Sequence, residues 1–293
     1  MRHVALATAA QVPDLDEDGT SLRRALAARD IAAVPAVWDD ATVDWGSFDA
    51  VVIRSTWDYV PRRDAFISWG ERVGACLHNR PEFVRWNTDK RYLRDLELDG
   101  VDIVPTTWVA PGERPALPPR GDFVVKPSIS AGGTDTARYV APGEHERACA
   151  HIARLNAAGR TAMIQPYVAS VDARGETGLV FFGGAFSHAT KKAAILRQGA
   201  DPHSTLHFAL SELYAPESIV PVSPTAAQRA AAERIIELAS ARFGTPLYAR
   251  VDLVTGPRDV PWLIELELTE PSLFLGYSEG AAERFAAAIA AAL

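Results

Sequence analysis

Near the C-terminus, Tyr248–Val254 and Trp262–Leu268 are two runs in which charged residues alternate with apolar ones, joined by Thr255-Gly-Pro-Arg-Asp-Val-Pro261. Residues two apart on a strand share a face, so Arg250 and Asp252 point one way while Val251 and Leu253 point the other. On the returning run Glu265 and Glu267 share a face, and Ile264, Leu266 and Leu268 share the opposite one. A one-residue slip would turn one hydrophobic set to the polar side, so matching the apolar faces fixes the register. Asp252, Glu265 and Glu267 then crowd one face of a hairpin. Like charges across a strand pair are destabilising, and burying them unpaired is worse. A positive partner is therefore required, and oxygen-only ligands suit a hard cation such as Mg²⁺, which one or two carboxylates hold together with substrate phosphates. The alternative is a solvated face without a partner. The apolar runs that embed Arg250 and the glutamates point to a half-buried sheet and to the metal.

The chain around this hairpin has 293 residues, 48% apolar and 23% charged, enough for two compact units or one multi-lobed enzyme. A formal charge of -7 without a Lys/Arg run argues against a nucleic-acid partner. Two isolated cysteines, Cys76 and Cys149, make neither a disulfide framework nor a zinc site and are expected to be reduced thiols of a cytoplasmic protein. The short apolar run in Met1–Thr8 reads as a first strand and not as a signal peptide. The Ala-rich tail Ala281–Leu293 is too short for a bilayer and carries Glu283 and Arg284, so it reads as a packed terminal helix with no membrane role.

From 4 to 79 the pattern predicts strands at 4–8, 31–37, 50–54 and 76–79 with helices at 20–29 and 64–73, a mostly parallel α/β lobe. Ligands of such sheets sit beyond the strand C-termini. There Arg54-Ser-Thr-Trp-Asp-Tyr59 follows the apolar Ala50-Val-Val-Ile53, and it is either a holder for a zwitterionic substrate or a capped turn with an aromatic anchor. Further on, the sequence predicts a helix starting in Thr88–Leu96, a strand at Val104–Trp108, a Pro-rich loop over Ala110–Arg120, strands at Phe123–Lys126 and Ala162–Gln165, and a helix at 145–158. Strands near 177–182 and 185–192, a polar loop near 197–218, a helix at 225–243, the acidic hairpin and the final helix complete the chain.

Lys126 ends an apolar strand and precedes Pro127-Ser-Ile-Ser-Ala-Gly-Gly-Thr134. A lysine at a strand end beside a Gly/Ser loop suits phosphate, because backbone N–H groups converge on oxygen and the ammonium adds charge. A plain turn is the simpler reading, and the loop has neither the Gly-Lys-Ser/Thr ending of a P-loop nor a dinucleotide fingerprint. Lys90, the pair Lys191-Lys192 and the acidic hairpin strengthen the phosphate reading.

The order Asn87-Thr-Asp-Lys90, Val-Val-Lys126 with its Ser/Gly loop, Ile-Gln-Pro-Tyr167, Arg250-x-Asp252 and Ile-Glu-Leu-Glu267 resembles the ATP-grasp ligases over Asn87–Leu268. The resemblance implies α+β lobes that clamp ATP and make an acyl phosphate for an amine to attack. It implies an N-terminal Rossmann-like substrate-side domain at 1–84, a central lid at 85–168 and a C-terminal domain at 169–293 carrying the metal site. Lys90, Lys126 and the loop with Ser130, Gly132 and Gly133 would contact nucleotide phosphates, while Gln165, Pro166 and Tyr167 would form the hinge at adenine. Asp252, Glu265 and Glu267 would bind Mg²⁺, expected as two ions, and Arg250 and Lys192 would stabilise the transferring phosphoryl group. The family commonly has Asn where Glu267 stands, so this site carries one extra negative charge. Family members form homo-dimers or homo-tetramers, and the same is implied here.

A narrower resemblance, carried by Arg-Ser-Thr-Trp-Asp-Tyr59, Trp-Asn-Thr-Asp-Lys90, Val-Val-Lys-Pro-Ser-Ile-Ser-Ala-Gly-Gly133 and Glu-Leu-Thr-Glu-Pro-Ser-Leu-Phe274, is to the D-cycloserine-forming cyclo-ligases. It implies a small amino-acid-derived substrate, O-ureido-D-serine, held by Arg54, Ser55, Asp58, Glu176, Glu270 and Ser272. The same motifs would also serve an intermolecular ligase joining two amino acids, and an inert ATP-binding module is the reading from another class. Trp38, Trp45, Trp69 and Trp108 sit in apolar contexts and read as core anchors. His188, His203 and His207 have no partner pattern and read as structural or surface residues.

Overall fold

The computed structural model describes residues 1–194, 196, 199 and 218–293. Its first sheet joins β1 (Arg2–Thr8), β2 (Ile31–Val37), β3 (Ala50–Ser55) and β4 (Leu77–His78), all parallel in the order β2-β1-β3-β4, with α1 (Asp18–Ala27) and α2 (Arg63–Val73) as crossovers. β3 is buried along its whole length, which is why it reads as a continuous apolar run. Two short helices follow, α3 (Pro81–Asn87) and α4 (Tyr92–Leu98). The second sheet is antiparallel in the order β5-β8-β6-β7, from β5 (Thr107–Val109), β6 (Gly121–Pro127), β7 (Ala137–Ala141) and β8 (Ala162–Pro166). On it α5 (His145–Ala157) packs Ala148, Ile152 and Leu155 against Phe123, Val125 and Tyr139.

After the short α6 (Ser170–Arg174), the third sheet runs β11-β10-β9-β12-β13, built from β9 (Glu176–Phe182), β10 (Ala185–Lys192), β11 (Ile219–Val222), β12 (Tyr248–Thr255) and β13 (Pro261–Glu267), all antiparallel. Between β11 and β12 lies α7 (Ala226–Phe243), opened by a capping box of Thr225 and Gln228. The last helix, α8 (Ala281–Ala292), inserts Phe285 and Ile289 among Leu22, Leu26, Val180 and Tyr248, so one core joins the first and third sheets. Phe83, Tyr92, Leu93 and Leu96 pack under the third sheet with Leu179, Val251 and Leu266. No helix among the described residues is long and apolar enough to cross a membrane.

Several local expectations shift. The predicted helix over Thr88–Leu96 starts at Tyr92, leaving Thr88–Arg91 as the link between α3 and α4. The strand expected from Val104 starts at Thr107, while Val104 itself donates to the Leu263 carbonyl at 3.1 Å. β7, β11 and α3 were not anticipated, being short and weakly patterned. Most of the polar loop near 197–218, with His203 and His207, lies outside the described residues. The hairpin register is the predicted one at the charged end, with Arg250 opposite Glu267 and Asp252 opposite Glu265. A bulge after Asp252 then brings Leu263 opposite Leu253. Leu263 therefore fills the core with Leu266 and Leu268, and Ile264 is released to line a cavity, a correction to its expected apolar face.

Candidate active site

β12 and β13 bring the acidic face together by register alone. Arg250 is its hub: Nε and Nη2 donate to the two oxygens of Asp252 at 2.8 Å each, Nη2 also bonds Glu267, and Nη1 donates to the Ser272 carbonyl at 2.8 Å. Lys192, at the end of β10, places Nζ 3.1 Å from Asp252 Oδ2 and 3.7 Å from Glu176 Oε2. Glycine makes this geometry possible. A Cβ at Gly178, opposite Asp252 on β9, would stand 2.8 Å from Asp252 Oδ1, so only a residue without a side chain leaves room for the carboxylate. Burial pushes the Asp252 carboxyl up, but Arg250 and Lys192 outweigh it and hold the group well below the usual carboxylate range. Burial likewise opposes the charge on Lys192, which Asp252 overrides and raises.

Lys90 reaches the same face from the link between α3 and α4. Its Nζ lies 3.0 Å from Glu265 Oε1 and donates to Ser130 O and Oγ at 2.8 and 3.1 Å, and its amide donates to Ser128 O at 2.8 Å. Asn87 fixes this link to the edge strand β13: Nδ2 donates to Leu266 O and the Leu268 amide donates to Oδ1, both at 2.7 Å. Tyr92 Oη accepts the Leu266 amide at 2.8 Å. Glu265, which burial would raise, is held low by Lys90 and Lys126. Glu267 is pushed up to about 7 by burial, with Glu265 and Asp252 adding to the shift against Arg250. Lys126 is buried at the end of β6, and desolvation lowers its pKa.

These groups surround a cavity of about 440 Å³. Lys90, Lys126, Ser130, Gly132, Gly133, Gln165, Pro166, Tyr167, Glu176, Lys192, Arg250, Glu265, Glu267, Glu270 and Ser272 all line it, so most of the candidate residues converge on one space. Val104, Val168, Val171 and Ile264 give it an apolar wall near the β8 hinge. The Ser128–Thr134 loop is anchored from behind, where Asp135 pairs with Arg154 at 2.9 Å and with Arg160. Gly132 and Gly133 take φ of +59° and +70°, the left-handed region that glycine adopts without strain. Asp252 stands beneath this lining, engaged with Arg250 and Lys192. Among the described residues, no group of three or more His, Cys, Asp or Glu side chains is placed to hold a metal ion.

Arg54, Ser55 and Asp58 stand behind the cavity wall. Arg54 Nη2 donates to Pro271 O at 3.1 Å, and its guanidinium lies 5.7 Å from the ring centroids of Tyr248 and Phe285. Ser55 Oγ accepts the Asp16 amide at 3.1 Å, and Asp58 accepts from Trp38 Nε1 at 2.9 Å and from Arg62. Arg54 and Ser55 end β3 and Asp58 lies in the turn that follows, while Trp57 and Tyr59 of the same stretch reach the cavity. Glu17, Phe274 and Tyr277 also line it without having been singled out. His188, packed under Leu273 with Nε2 2.9 Å from that carbonyl, has the structural role expected of it.

The curated protein with 40% identity over 302 residues, spanning 98% of this chain and 97% of its own length, is the cycloserine biosynthesis protein DcsG of Streptomyces lavendulae. This chain belongs to the D-cycloserine synthetase family. The description of the D-cycloserine synthetase DcsG N-terminal domain matches residues 4–79. The crystal structure of D-cycloserine synthetase DcsG superposes with a TM-score of 0.87 at 39% identity over 99% of both chains. D-alanine–D-alanine ligase from Bacillus anthracis, solved in complex with ATP, shares the fold at a TM-score of 0.67 and 11% identity over 100% of this chain and 97% of that one. Other solved ATP-grasp ligases share it too. The α/β architecture is the ATP-grasp fold, and the family is one of ATP-dependent ligases.

Proposed function

We propose that this chain uses ATP to turn the carboxylate of O-ureido-D-serine into an acyl phosphate, which the N–H nitrogen of the same molecule attacks to close the ring with release of ADP and phosphate, water then cleaving the N-carbamoyl C–N bond to leave D-cycloserine, carbon dioxide and ammonia. One observation carries this reading: a single cavity gathers four cations, Lys90, Lys126, Lys192 and Arg250, with the carboxylates of Glu176, Glu265, Glu267 and Glu270. Phosphoryl transfer needs such positioning and charge neutralisation more than covalent help. Gln165, Pro166 and Tyr167 with the apolar wall of Val104, Val168 and Ile264 receive the adenine, and Lys126, Lys90 and the anchored loop receive the phosphates. Arg250 and Lys192, aligned by Asp252, face the charge that develops on the transferring group.

The donor set fits magnesium. Glu265 and Glu267 offer carboxylate oxygens at the cavity, and burial beside other carboxylates pushes the Glu267 carboxyl up in spite of Arg250. We assign them two ions, with Asp252 as a third ligand once Lys192 turns to phosphate. When bound, magnesium neutralises the phosphates and the leaving oxygen. A closed site suits an acyl phosphate, which water would otherwise hydrolyse, and intramolecular attack needs no second substrate. Coupled ADP release tests the reading: it should require both Mg²⁺ and O-ureido-D-serine. ATP binding without ADP release under those conditions would mark an inert module instead.

A further inference from the structure

The stretch Glu270-Pro271-Ser272 is held unusually tightly for a loop. Three consecutive carbonyls are gripped by side chains, two from the Arg54–Tyr59 stretch and one from β12: Trp57 Nε1 donates to Glu270 O at 3.0 Å, Arg54 Nη2 to Pro271 O at 3.1 Å and Arg250 Nη1 to Ser272 O at 2.8 Å. Asp18 then accepts the Leu273 and Leu275 amides at 3.2 and 2.7 Å. With its backbone oxygens tied back, the segment presents the Glu270 side chain to the cavity. Tyr59, 2% exposed and stacked on Phe66 at 4.9 Å, lines the same cavity and interacts with that carboxyl. Among the described residues, Glu270 has no ion-pair partner within 4.0 Å. Burial and the Glu267 charge push it up to about 8, against the interaction with Tyr59 and the more distant Lys90, while Glu265 adds to the rise.

Resting on the function proposed above, we propose that the Glu270 carboxylate, oriented by Tyr59, is the proton acceptor for the nitrogen that attacks the acyl phosphate. An N–H flanked by oxygen and a carbonyl is a weak nucleophile until it loses its proton. In the step, the nitrogen lone pair forms the C–N bond to the acyl carbon and the N–H proton passes to a Glu270 oxygen. The C–O bond to the phosphate breaks, and its electron pair leaves on phosphate. Arg250, bonded to Ser272 in the same loop, ties the carbonyl-activating side of the site to the proton acceptor.

The test compares the wild-type chain with Glu270→Gln and Tyr59→Phe, each checked for a cooperative melt no lower than that of the wild type, using Mg²⁺, ATP and O-ureido-D-serine with and without hydroxylamine. Hydroxylamine traps an acyl phosphate as a hydroxamate and needs no protein base. Glu270→Gln should form hydroxamate at close to the wild-type rate while ring closure falls about 100-fold or more in kcat, the range of general-base catalysis. Tyr59→Phe should lower kcat for ring closure with a smaller change in KM. Ring closure by Glu270→Gln within threefold of wild type would overturn the proposal, as would an equal loss of hydroxamate and ring product, which would place Glu270 in activation. A wild-type chain that releases ADP with other amino acids but not with this substrate would overturn the substrate reading, and the proposal with it.

Discussion

At the residue scale, the site is built from groups that work against the stability of the ligand-free chain. Lys126 is an ammonium buried where desolvation opposes its charge. Lys126→Met should raise the ligand-free melting temperature by about 1–2 °C, the shift that about 1 kcal/mol produces at this chain size, while ADP release drops to background. A lower melting temperature would mean that Lys126 is a net structural asset through Glu265. Gly178 makes the opposite case: Gly178→Ala would press a Cβ against Asp252 and should cost about 1–3 kcal/mol, the range for overpacking, with a matching loss in kcat, both readable by thermal melts and ADP release. The charged hairpin was legible because strand alternation places charges without knowledge of the rest of the fold. Gly178 was not, because its reason lies on the neighbouring strand. Nor was the pairing of Tyr59 with Glu270, which only the docking of the first sheet on the third creates. For Arg54, Ser55 and Asp58 the sequence offered two readings, and their partners, Pro271, Asp16 and Trp38, are tertiary contacts that the sequence could not rank.

At the scale of elements, the edge strand β13 carries two of the candidate metal ligands, and its outer edge is secured by the backbone of Asp102 and Val104 at Leu263 and by the side chains of Asn87 and Tyr92 further along. Asn87 satisfies Leu266 O and the Leu268 amide. Asn87→Ala leaves both groups unpaired and should cost about 2–4 kcal/mol, from the penalty for buried unsatisfied groups. It should also raise the Mg²⁺ concentration needed for half-maximal ADP release; an unchanged requirement would show that β13 holds its position without the pin. Long, strongly patterned elements such as α7 and the buried β3 were legible to within a residue or two. Short ones were not: β7 has only five residues after a Gly-rich loop, and α3, despite its Pro at the first turn, has seven. The link at Lys90 takes the place of the first turn of the helix expected from Thr88, and it directs Lys90 towards Ser130 and Glu265.

For the whole molecule, the opposing shifts fix a pH dependence. Glu267 and Glu270 are raised to about 7 and about 8, so the folded chain holds protons that the unfolded chain has released, and stability is lost as pH rises through those values. Asp252 and Glu265 are lowered, so their contribution is lost as pH falls through the acid range. Ligand-free melting temperature should therefore peak at about pH 5, between the two sets, and Glu270→Gln should flatten its decline towards pH 8. Mg²⁺ with ATP should raise the melting temperature through binding to the folded state, and chelation should reverse most of that rise. The sharing of one core between α1, α8 and the third sheet was not legible, since the Ala-rich tail names no partner. The central claim is that this assembled cavity closes a ring within one substrate. Mass spectrometry of the product from Mg²⁺, ATP and O-ureido-D-serine tests it most directly: the account predicts one product of D-cycloserine mass formed with equimolar ADP, and ADP accompanied by a product joining two substrate molecules would contradict it.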